Sequence, residues 1–279
     1  MENLKLFKKN IYSQHGEDGI IEEVLKRLNK FVDNQYCEFG AWDGIHLSNT
    51  CALIKKHDCK ALLIEPDKNK YQDLCKNFPS KKIIKLNNFV ELQGEKSLDN
   101  LLKENKFNLD FDFLSIDVDS IDYHIFDSLK IYKPKLICIE FNPTIPNEIS
   151  FVQDKGFSNY GSSAKSIIDL ASKKKYHLIC TTETNLFLIH ETYKQYVVGD
   201  KINRLNDLRD DEKIKNFIFY GYDGSIFTSK SVRLPWHNIL IKDLNILNKF
   251  LRKYPRNYNF FEKIIFKIYR RIRIFLNIS

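Results

Sequence analysis

Short apolar runs of strand length alternate along this chain with stretches whose apolar positions follow a helical spacing. Five such alternations predict βαβ units, a parallel sheet and helices packed on both of its faces. A first helix is predicted over residues 16–31, with Glu17 and Asp18 in its first turn. We predict further helices near residues 48–57, 67–77, 96–105, 122–131 and 161–174, and strands near residues 35–39, 60–65, 82–87, 111–117, 134–141, 176–181 and 185–190.

The last two predicted strands form a different kind of connection. Only Thr182, Glu183 and Thr184 separate them, which is too short for a crossover. We therefore predict an antiparallel hairpin at the edge of the sheet. A parallel sheet that ends in such a hairpin is typical of a methyltransferase-type fold and not of a dinucleotide dehydrogenase.

Beyond residue 200 the pattern weakens. We predict a helix over residues 207–215, a short hairpin over residues 217–227 around Asp223-Gly224 and a helix over residues 238–253. The sequence thus predicts a main α/β domain over residues 1–200, a C-terminal extension over 201–256 and a terminal helix over 257–279.

The terminal helix is predicted to be basic and amphipathic. Its apolar residues form one helical stripe, and five cations lie largely elsewhere. Such a helix lies on anionic lipid, or it packs on its own domain or on a second subunit, and the pattern leaves these readings open. The stripe consists of Phe261, Ile264, Ile265, Ile268, Ile272, Phe275 and Leu276, and the cations are Lys263, Lys267, Arg270, Arg271 and Arg273.

The net charge of +8 is concentrated in the tail. Residues 252–279 hold eight Lys/Arg and one acid, whereas the preceding 251 residues hold 36 basic and 35 acidic side chains. Nucleic-acid binding needs a concentrated basic surface, so we expect no nucleic-acid partner for the main domain. The apolar content of 43% and the charged content of 29% are those of an ordinary globular protein.

Cysteine use and hydropathy indicate the compartment. The six cysteines form no C-x-x-C pair, and most fall in predicted strands or helices, which is typical of buried thiols in a reducing compartment. No apolar run reaches the roughly 18 residues of a membrane span, and the first residues lack the features of a signal peptide. We therefore expect a cytoplasmic protein whose basic tail can contact the inner face of the cell membrane.

Three apolar runs end abruptly in acidic residues, which is typical of buried parallel strands with a polar site at their carboxyl ends. They lie in residues 36–44, 61–67 and 113–123. Gly40 and Gly44 allow a tight turn after the first strand, and Glu65 ends the second strand, where it can accept hydrogen bonds from ribose hydroxyls. The pattern predicts a nucleoside-type cofactor. Glu38 and Asp43 suit a cationic or hydroxyl-rich ligand and would repel a pyrophosphate.

Several motifs occur in an order that resembles the FkbM-like family of S-adenosylmethionine-dependent methyltransferases. The resemblance covers about residues 12–195 and implies a class I (Rossmann-like) fold with a mostly parallel seven-stranded sheet. The matching stretches are Ser13-Gln-His-Gly-Glu-Asp-Gly19, Glu38-Phe-Gly-Ala-Trp-Asp-Gly44, Ser48-Asn-Thr50, Leu63-Ile-Glu-Pro-Asp67, Leu114-Ser-Ile-Asp-Val-Asp119 with Asp122-Tyr123, Ile139-Glu-Phe-Asn-Pro-Thr-Ile-Pro146 and Gly161-Ser-Ser163. The chain departs from the family at Ser120 and Ile121, where Gly and Asn are usual, and at His124, where a bulkier aromatic is usual.

The resemblance implies a set of cofactor contacts in addition to Glu65. S-adenosylmethionine would be held by the turn after the first strand and by neighbouring loops, and Ser13, Gln14, His15 and Asp18 would form a lid over it. The expected cofactor-binding residues are Gln14, Glu38, Gly40, Asp43, Gly44, Ser48, Asn49, Thr50, Glu65, Pro66 and Asp117.

The acceptor is expected at the ends of the fourth and fifth strands. His124 is a candidate general base because the pKa of a histidine lies near neutrality, and Asp117 and Asp119 are the other candidate catalytic residues. Asp117, Asp119 and Asp122 could also hold Mg²⁺ or Mn²⁺. A helix N-terminus at residues 161–163 could receive an anionic group of the acceptor. The expected substrate-binding residues are His15, Asp122, Tyr123, Glu140, Asn142, Ser162 and Ser163.

The family association indicates O-methylation of a sugar, or of a phosphorylated or nucleotide-linked precursor, in bacterial surface-polysaccharide (capsule) biosynthesis. Two alternatives stay open. The acidic cluster of Asp117, Asp119 and Asp122 could serve a metal-dependent hydrolase or transferase, or the fold could be a non-catalytic scaffold that recruits partners through its tail.

Overall fold

The computed structural model describes residues 2–156 and 158–276. The chain divides into two compact units, Met1–Lys213 and Ile214–Ser279, which we call unit 1 and unit 2 and describe separately. This division falls at residue 213, whereas the sequence pattern placed domain boundaries after residues 200 and 256. None of the described helices is both long and apolar enough to cross a membrane.

Unit 1 contains a seven-stranded sheet with the order β3-β2-β1-β4-β5-β7-β6. Only β7 runs against the other six strands, because it pairs antiparallel with both β5 and β6. This strand order with an antiparallel β7 is the class I methyltransferase (Rossmann-like) fold, so the predicted fold class is confirmed. The strands are β1 Gln35–Phe39, β2 Lys60–Ile64, β3 Ile83–Leu86, β4 Phe113–Ile116, β5 Leu136–Glu140, β6 Tyr176–Thr181 and β7 Asn185–His190.

Helices cover both faces of the sheet because successive strand residues point to opposite sides. Cys37 and Phe39 of β1 contribute to one buried cluster with α4, α5 and α6, whereas Tyr36 contributes to the other with α1, α2, α3 and α7. The two clusters give the sheet a core on each face. The helices of unit 1 are α1 Glu17–Leu28, α2 Cys51–Lys56, α3 Lys68–Asn77, α4 Leu98–Glu104, α5 Asp122–Ser128, α6 Ala164–Lys173, α7 Glu191–Val197 and α8 Leu205–Leu208.

Local sequence sets several of these helix boundaries. Asp67 accepts hydrogen bonds from the N–H groups of Asn69 and Lys70 and so caps α3. Ser163 caps α6 in the same way. All six cysteines are free thiols; five are buried and Cys75 is half-buried. The helix predicted over residues 207–215 is wrong for most of its length, because the helical segment there is the four-residue α8.

Unit 2 consists of two short hairpins and one long helix. The hairpin predicted over residues 217–227 is confirmed as β8 Ile218–Tyr220 and β9 Ile226–Thr228. The helix predicted over residues 238–253 is wrong. β10 Val232–Leu234 pairs with β11 Ile239–Ile241, and two short 3₁₀ turns, Lys249–Leu251 and Pro255–Asn257, follow. Asn238 adopts a left-handed φ of 53° in the turn between β10 and β11.

The terminal helix α9 spans Phe260–Phe275. Asn259 and Glu262 form a capping box at its start, in which each side chain accepts from the backbone N–H of the other residue. Residues 277–279 of the predicted terminal helix lie outside the described residues.

Candidate functional site

A cleft of about 320 Å³ opens at the carboxyl ends of β1, β4 and β5 in unit 1. This edge of an open parallel sheet is where ligands bind, because the loops that follow neighbouring strands diverge there. The cleft combines acidic, amide and aromatic side chains. It is lined by Gln14, Glu17, Gly40, Trp42, His46, Leu47, Ser48, Asn49, Asp117, Asp119, Glu140, Thr184 and Asn185.

Three carboxylates meet in this cleft. Oxygen atoms of Asp117, Asp119 and Glu140 all lie within 4.8 Å of one another. Asp117 follows β4 and Glu140 ends β5, and the paired register of Ile116 with Ile139 brings them side by side. We call these three residues the carboxylate cluster.

Two residues of the cluster, Asp117 and Glu140, have raised pKa values. Burial, followed by the charges of Asp122 and Asp119, raises the pKa of Asp117 to about 8. Burial and the same group of acids, with Asp117 first, raise the pKa of Glu140 to about 10. A bound cation would reverse both shifts, because it favours the ionised carboxylates. A positively charged ligand would therefore stabilise the ionised form of these two groups.

Asp122 does not belong to the cluster: of the three candidate metal ligands, Asp117 and Asp119 lie together with Glu140, and Asp122 is not in this group. The Asp122 carboxylate is buried and accepts hydrogen bonds from the N–H groups of Val118 and Ser120 at 2.9 and 3.1 Å. It therefore fixes the loop that carries Asp119, which adopts a left-handed φ of 56°. Burial raises the pKa of Asp122 to about 7.

Glu38 organises the loop after β1 instead of lining the cleft. Its buried carboxylate accepts from the Ser48 hydroxyl at 2.6 Å, the Asn49 N–H at 2.7 Å and the Thr50 hydroxyl at 2.5 Å. Ser48 and Asn49 reach the cleft, whereas Thr50 is fully buried. The Asn49 amide also donates to the Ser115 hydroxyl at 3.0 Å. These expected cofactor residues thus form one connected network beneath the cleft.

Gly40 follows β1 at a point where the backbone after β4 lies very close to it. Its φ is 80°, and a Cβ there would lie 1.8 Å from the carbonyl oxygen of Asp117. Gly44, with a φ of 77°, leaves room for Leu74, since a Cβ would lie 2.5 Å from the Leu74 Cδ1. Asp43 accepts from two backbone N–H groups of the same loop. Gly40 lines the cleft, and Gly44 and Asp43 shape its loop.

Glu65 holds backbone in this structure. Its buried carboxylate accepts from the N–H groups of Trp42 at 2.8 Å and Asp67 at 2.7 Å, and burial raises its pKa. The carbonyl of the adjacent Pro66 accepts from the Asn87 amide. Glu65 and Pro66 are not among the residues that line the described cleft, and Glu65 reaches it through the Trp42 backbone.

The segment expected to act as a lid is fastened to α1. One carboxylate oxygen of Asp18 accepts from the N–H groups of Ile11, Tyr12 and Ser13 at 2.7 to 2.8 Å, and the Ser13 hydroxyl accepts from the Asp18 N–H. Gln14 alone of the four expected lid residues lines the cleft. The His15 ring lies 3.5 Å from the carboxylate of Glu183. In this structure the segment is hydrogen-bonded to α1 and forms part of the cleft wall through Gln14.

His124 is directed away from the cleft, which removes the reason for naming it the base. The ring is buried, and its Nε2 lies 2.8 Å from the carbonyl oxygen of Gln153. Because a carbonyl oxygen can only accept, Nε2 is the donor in this bond. The neighbouring Tyr123 packs against one of the buried core clusters. Neither residue is among those that line the described cleft.

The expected anion site at residues 161–163 is likewise occupied by internal hydrogen bonds. The buried Ser162 hydroxyl accepts from the Gln153 N–H at 3.3 Å, and the buried Ser163 hydroxyl caps α6. Asn142 donates to the Tyr160 carbonyl at 2.6 Å, and its side-chain oxygen accepts from Thr144. These residues build the loop after β5, and each of the three side chains makes a hydrogen bond within it.

Several cleft residues were not predicted. Glu17, read from sequence as a helix-dipole residue, is buried and accepts from the His15 N–H at 2.7 Å and the Asn185 amide at 3.3 Å. Asn185 pairs in register with Glu140, and its buried Oδ1 has no hydrogen-bond partner. Trp42, with a left-handed φ of 52°, exposes its ring at the cleft. The remaining unpredicted residues are His46, Leu47 and Thr184.

No protein-family model and no curated protein matches this chain. Similar solved structures include the CMeT domain of the citrinin polyketide synthase (11% identity, TM-score 0.42), LepI in complex with SAM (12%, 0.38) and a SAM-dependent methyltransferase from Aquifex aeolicus (13%, 0.38). The matches cover 65%, 60% and 66% of this chain and 55%, 46% and 94% of those chains. The chain thus spans about half the length of the first two. At these identities the likeness concerns the fold alone, and the fold assignment rests on the strand order.

Proposed function

We propose that this chain is an S-adenosylmethionine-dependent methyltransferase that acts on a small polar acceptor. The observation that carries the proposal is the carboxylate cluster, which lies in a cleft at the carboxyl ends of β1, β4 and β5 of a class I sheet. Ligands of open α/β sheets bind at this edge. The ordered sequence motifs support the same cofactor.

The donor atoms of the cleft fit this cofactor. S-adenosylmethionine supplies an electrophilic methyl group on a positively charged sulfur, and its methionine part carries an ammonium group. Asp117 and Glu140 present negative charge to these cations, whereas the same charges would repel a dinucleotide pyrophosphate. The exposed Trp42 ring offers an apolar face. Gly40 lets the backbone approach the ligand closely.

The base of the proposed reaction is Asp117. Transfer to a hydroxyl group requires a side chain that takes up the proton, and such a base works best with a pKa near the operating pH. Asp117 lies in the cleft beside Glu140. Its pKa is raised to about 8 in the ligand-free cleft, and a bound cation lowers it from there, so Asp117 is ionised and can accept a proton when the donor is present. We assign hydroxyl binding to Asp119 and Glu140, whose oxygens lie within 4.8 Å of those of Asp117.

The proposed acceptor is a hydroxyl group of a sugar, or of a phosphorylated or nucleotide-linked sugar, in bacterial surface-polysaccharide (capsule) biosynthesis. The sequence resemblance supports this choice by association. Clustered carboxylates suit sugar hydroxyls as hydrogen-bond acceptors. His46 is the one cleft-lining side chain, among the described residues, that can carry positive charge toward a phosphate.

A divalent cation is the second ligand for which the cleft has suitable donors. Mg²⁺ and Mn²⁺ bind carboxylate oxygens, and the oxygens of Asp117, Asp119 and Glu140 are close enough to share one ion. If the cation alone is the ligand, the chain is a metal-dependent hydrolase or transferase. A scaffold that has lost its activity would bind neither the cation nor the nucleoside cofactor.

Isothermal titration calorimetry with S-adenosylmethionine tests the proposal. We expect saturable binding that Asp117→Asn weakens at least about tenfold, since the variant removes a charge beside the ligand. Asp58→Asn is the matched control: it removes the same charge from an exposed ion pair with Lys82, beside the amino end of β2. This control should bind like the unchanged protein.

The same titrations separate the alternatives. Binding of Mn²⁺ without any binding of S-adenosylmethionine would replace the proposal by the metal-dependent reading. Binding of neither ligand would overturn both and leave the scaffold. Transfer of a labelled methyl group to a nucleotide-linked sugar would establish the acceptor class. Loss of that transfer in Asp117→Asn at a saturating concentration of S-adenosylmethionine would establish the base.

A further inference from the structure

Unit 2 carries the positive charge of this protein. Residues 214–279 hold 13 Lys/Arg and 3 Asp/Glu, a net charge of +10, whereas residues 1–213 hold 31 Lys/Arg and 33 Asp/Glu, a net charge of −2. Such a charge asymmetry favours association with an anionic partner. The proposed catalytic cleft lies wholly in unit 1, so the charge of unit 2 calls for a separate explanation.

One side of α9 packs against the rest of unit 2. The Tyr269 hydroxyl donates to the carbonyl of Ile246 at 3.0 Å, and the ring of Phe266 lies 5.4 Å from that of Tyr258. The half-buried positions share the spacing of one helix face. They are Glu262, Phe266, Tyr269 and Arg273.

The apolar stripe of α9 is a different side of the helix. At 100° per residue its centre is turned about 110° from the packing side. All of its members are exposed, from 41% for Ile264 to 87% for Phe275. The stripe is therefore not covered by the described part of unit 2. Its members are Phe261, Ile264, Ile265, Ile268, Ile272, Phe275 and Leu276.

The charges around the apolar stripe indicate which kind of partner it binds. Four of the five cations of α9 lie on one flank of the stripe, and the single acid of the helix, Glu262, is paired with Lys253 at 2.5 Å. Two such helices facing each other would bring cations together with no free acid between them, which opposes self-association. Base stacking requires aromatic rings, whereas four of the seven stripe residues are isoleucine. An apolar stripe bordered by cations fits anionic lipid.

Unit 2 exposes further aromatic rings. In the hairpin of β8 and β9, Phe219 and Phe227 stack at 5.4 Å, and Tyr222 at the turn is almost wholly exposed. Trp236, in the turn between β10 and β11, is 72% exposed. Amphipathic aromatic side chains are enriched where proteins meet the headgroup region of a bilayer.

We propose that unit 2 binds the surface of a membrane that contains anionic lipid. Helix α9 lies in the plane of the interface, with its apolar stripe in the boundary between headgroups and acyl chains and its cations on the phosphates. Its 16 residues are an interfacial length and not a spanning one. This surface is independent of the methyltransferase proposal, because it uses no residue of the cleft.

Co-sedimentation of the full chain with vesicles tests this proposal. The protein should sediment with vesicles that contain phosphatidylglycerol, remain in solution with pure phosphatidylcholine, and be released by high salt. The triple variant Ile264→Ser, Ile268→Ser, Ile272→Ser should lower the partition coefficient about a hundredfold. The double variant Arg270→Gln, Arg271→Gln should lower it about thirtyfold.

A matched control replaces exposed apolar residues of unit 1. Leu109, Ile131 and Ile202 are each at least 55% exposed, and their combined change to serine should leave vesicle binding unaltered. Equal sedimentation of the α9 triple variant and the unchanged protein would overturn the proposal. So would light scattering that shows a dimer dissolved by the triple variant while lipid binding persists. Circular dichroism should show both triple variants folded, since all six positions are exposed.

Discussion

Replacing Glu140 by glutamine should stabilise the ligand-free protein at alkaline pH. Burial and the nearby charges of Asp117, Asp122 and Asp119 raise the pKa of Glu140 to about 10. An acid whose pKa is higher in the folded state binds more protons when folded. Its contribution to stability is therefore complete below the unfolded pKa and is lost as the pH rises toward the folded value.

The size of the effect follows from the pKa difference. Each pH unit between the two pKa values removes about 1.4 kcal/mol, so the interval from the ordinary value of 4.5 to pH 8 sets an upper limit of about 5 kcal/mol. Asp117 and Asp122 titrate in the same range and share the protons. We therefore expect Glu140→Gln to raise the free energy of unfolding by about 2 kcal/mol at pH 8 and to leave it unchanged near pH 4.5.

Urea unfolding followed by circular dichroism at the two pH values measures this difference. Glu191→Gln is the control, since Glu191 is exposed, pairs with Lys175 at 2.9 Å and has a lowered pKa. That variant should change stability little, and in the opposite sense. Equal stability of Glu140→Gln and the unchanged protein at pH 8, or the same destabilisation at both pH values, would refute the electrostatic account of the cluster.

Three further predictions follow from the described geometry. Gly40→Ala places a Cβ 1.8 Å from a backbone oxygen, so it should abolish cofactor binding and lower the free energy of unfolding in urea by about 3 kcal/mol. The control Gly199→Ala, at a φ of 63° with open space around it, should lower that free energy by about 1 kcal/mol, and equal losses would contradict the prediction. Lys135→Met removes the cation paired with the buried Asp112 carboxylate and should lower the free energy of unfolding by about 3 kcal/mol. The control Lys82→Met breaks an exposed ion pair and should lower it by less than about 1 kcal/mol, and similar losses for the two variants would refute the prediction. The affinity for S-adenosylmethionine should rise with pH, by at most about tenfold per pH unit for each proton released. The affinity for S-adenosylhomocysteine, which lacks the sulfonium charge, should rise less. Calorimetry that detects no proton release on binding would contradict the raised pKa values of the cluster.

The sheet could be predicted because its strands are buried on both faces. A strand such as β2, with Leu62 and Leu63 in opposite cores, reads as an unbroken apolar run, and the gaps between such runs have the length of crossover helices. The hairpin of β6 and β7 could be predicted because only three residues connect the two strands. In unit 2 the strands are three residues long, too short for periodicity to separate them from a helix. The wrong helix over residues 238–253 has this cause.

The site was only partly predictable, because an acid at the end of a strand can face either a ligand or the backbone. The sequence pattern correctly predicted that Asp117 and Glu140 lie at the same edge of the sheet. It could not distinguish them from Glu38, Glu65 and Asp122, whose carboxylates hold hydroxyl or N–H groups of the loops. Which role an acid takes depends on the path of the loop, and that path is set by tertiary packing.

The acids outside the cleft show what makes the carboxylate cluster different. Asp99 accepts from the N–H groups of residues 130–132, and Asp112 accepts from two N–H groups and from Lys135. Each of these buried charges is satisfied within the fold. In the cleft, by contrast, three carboxylates repel one another, and the buried Oδ1 of Asn185 beside Glu140 has no partner. Because these like charges are held together at one place in the fold, a cationic ligand bound there would stabilise the ionised carboxylates.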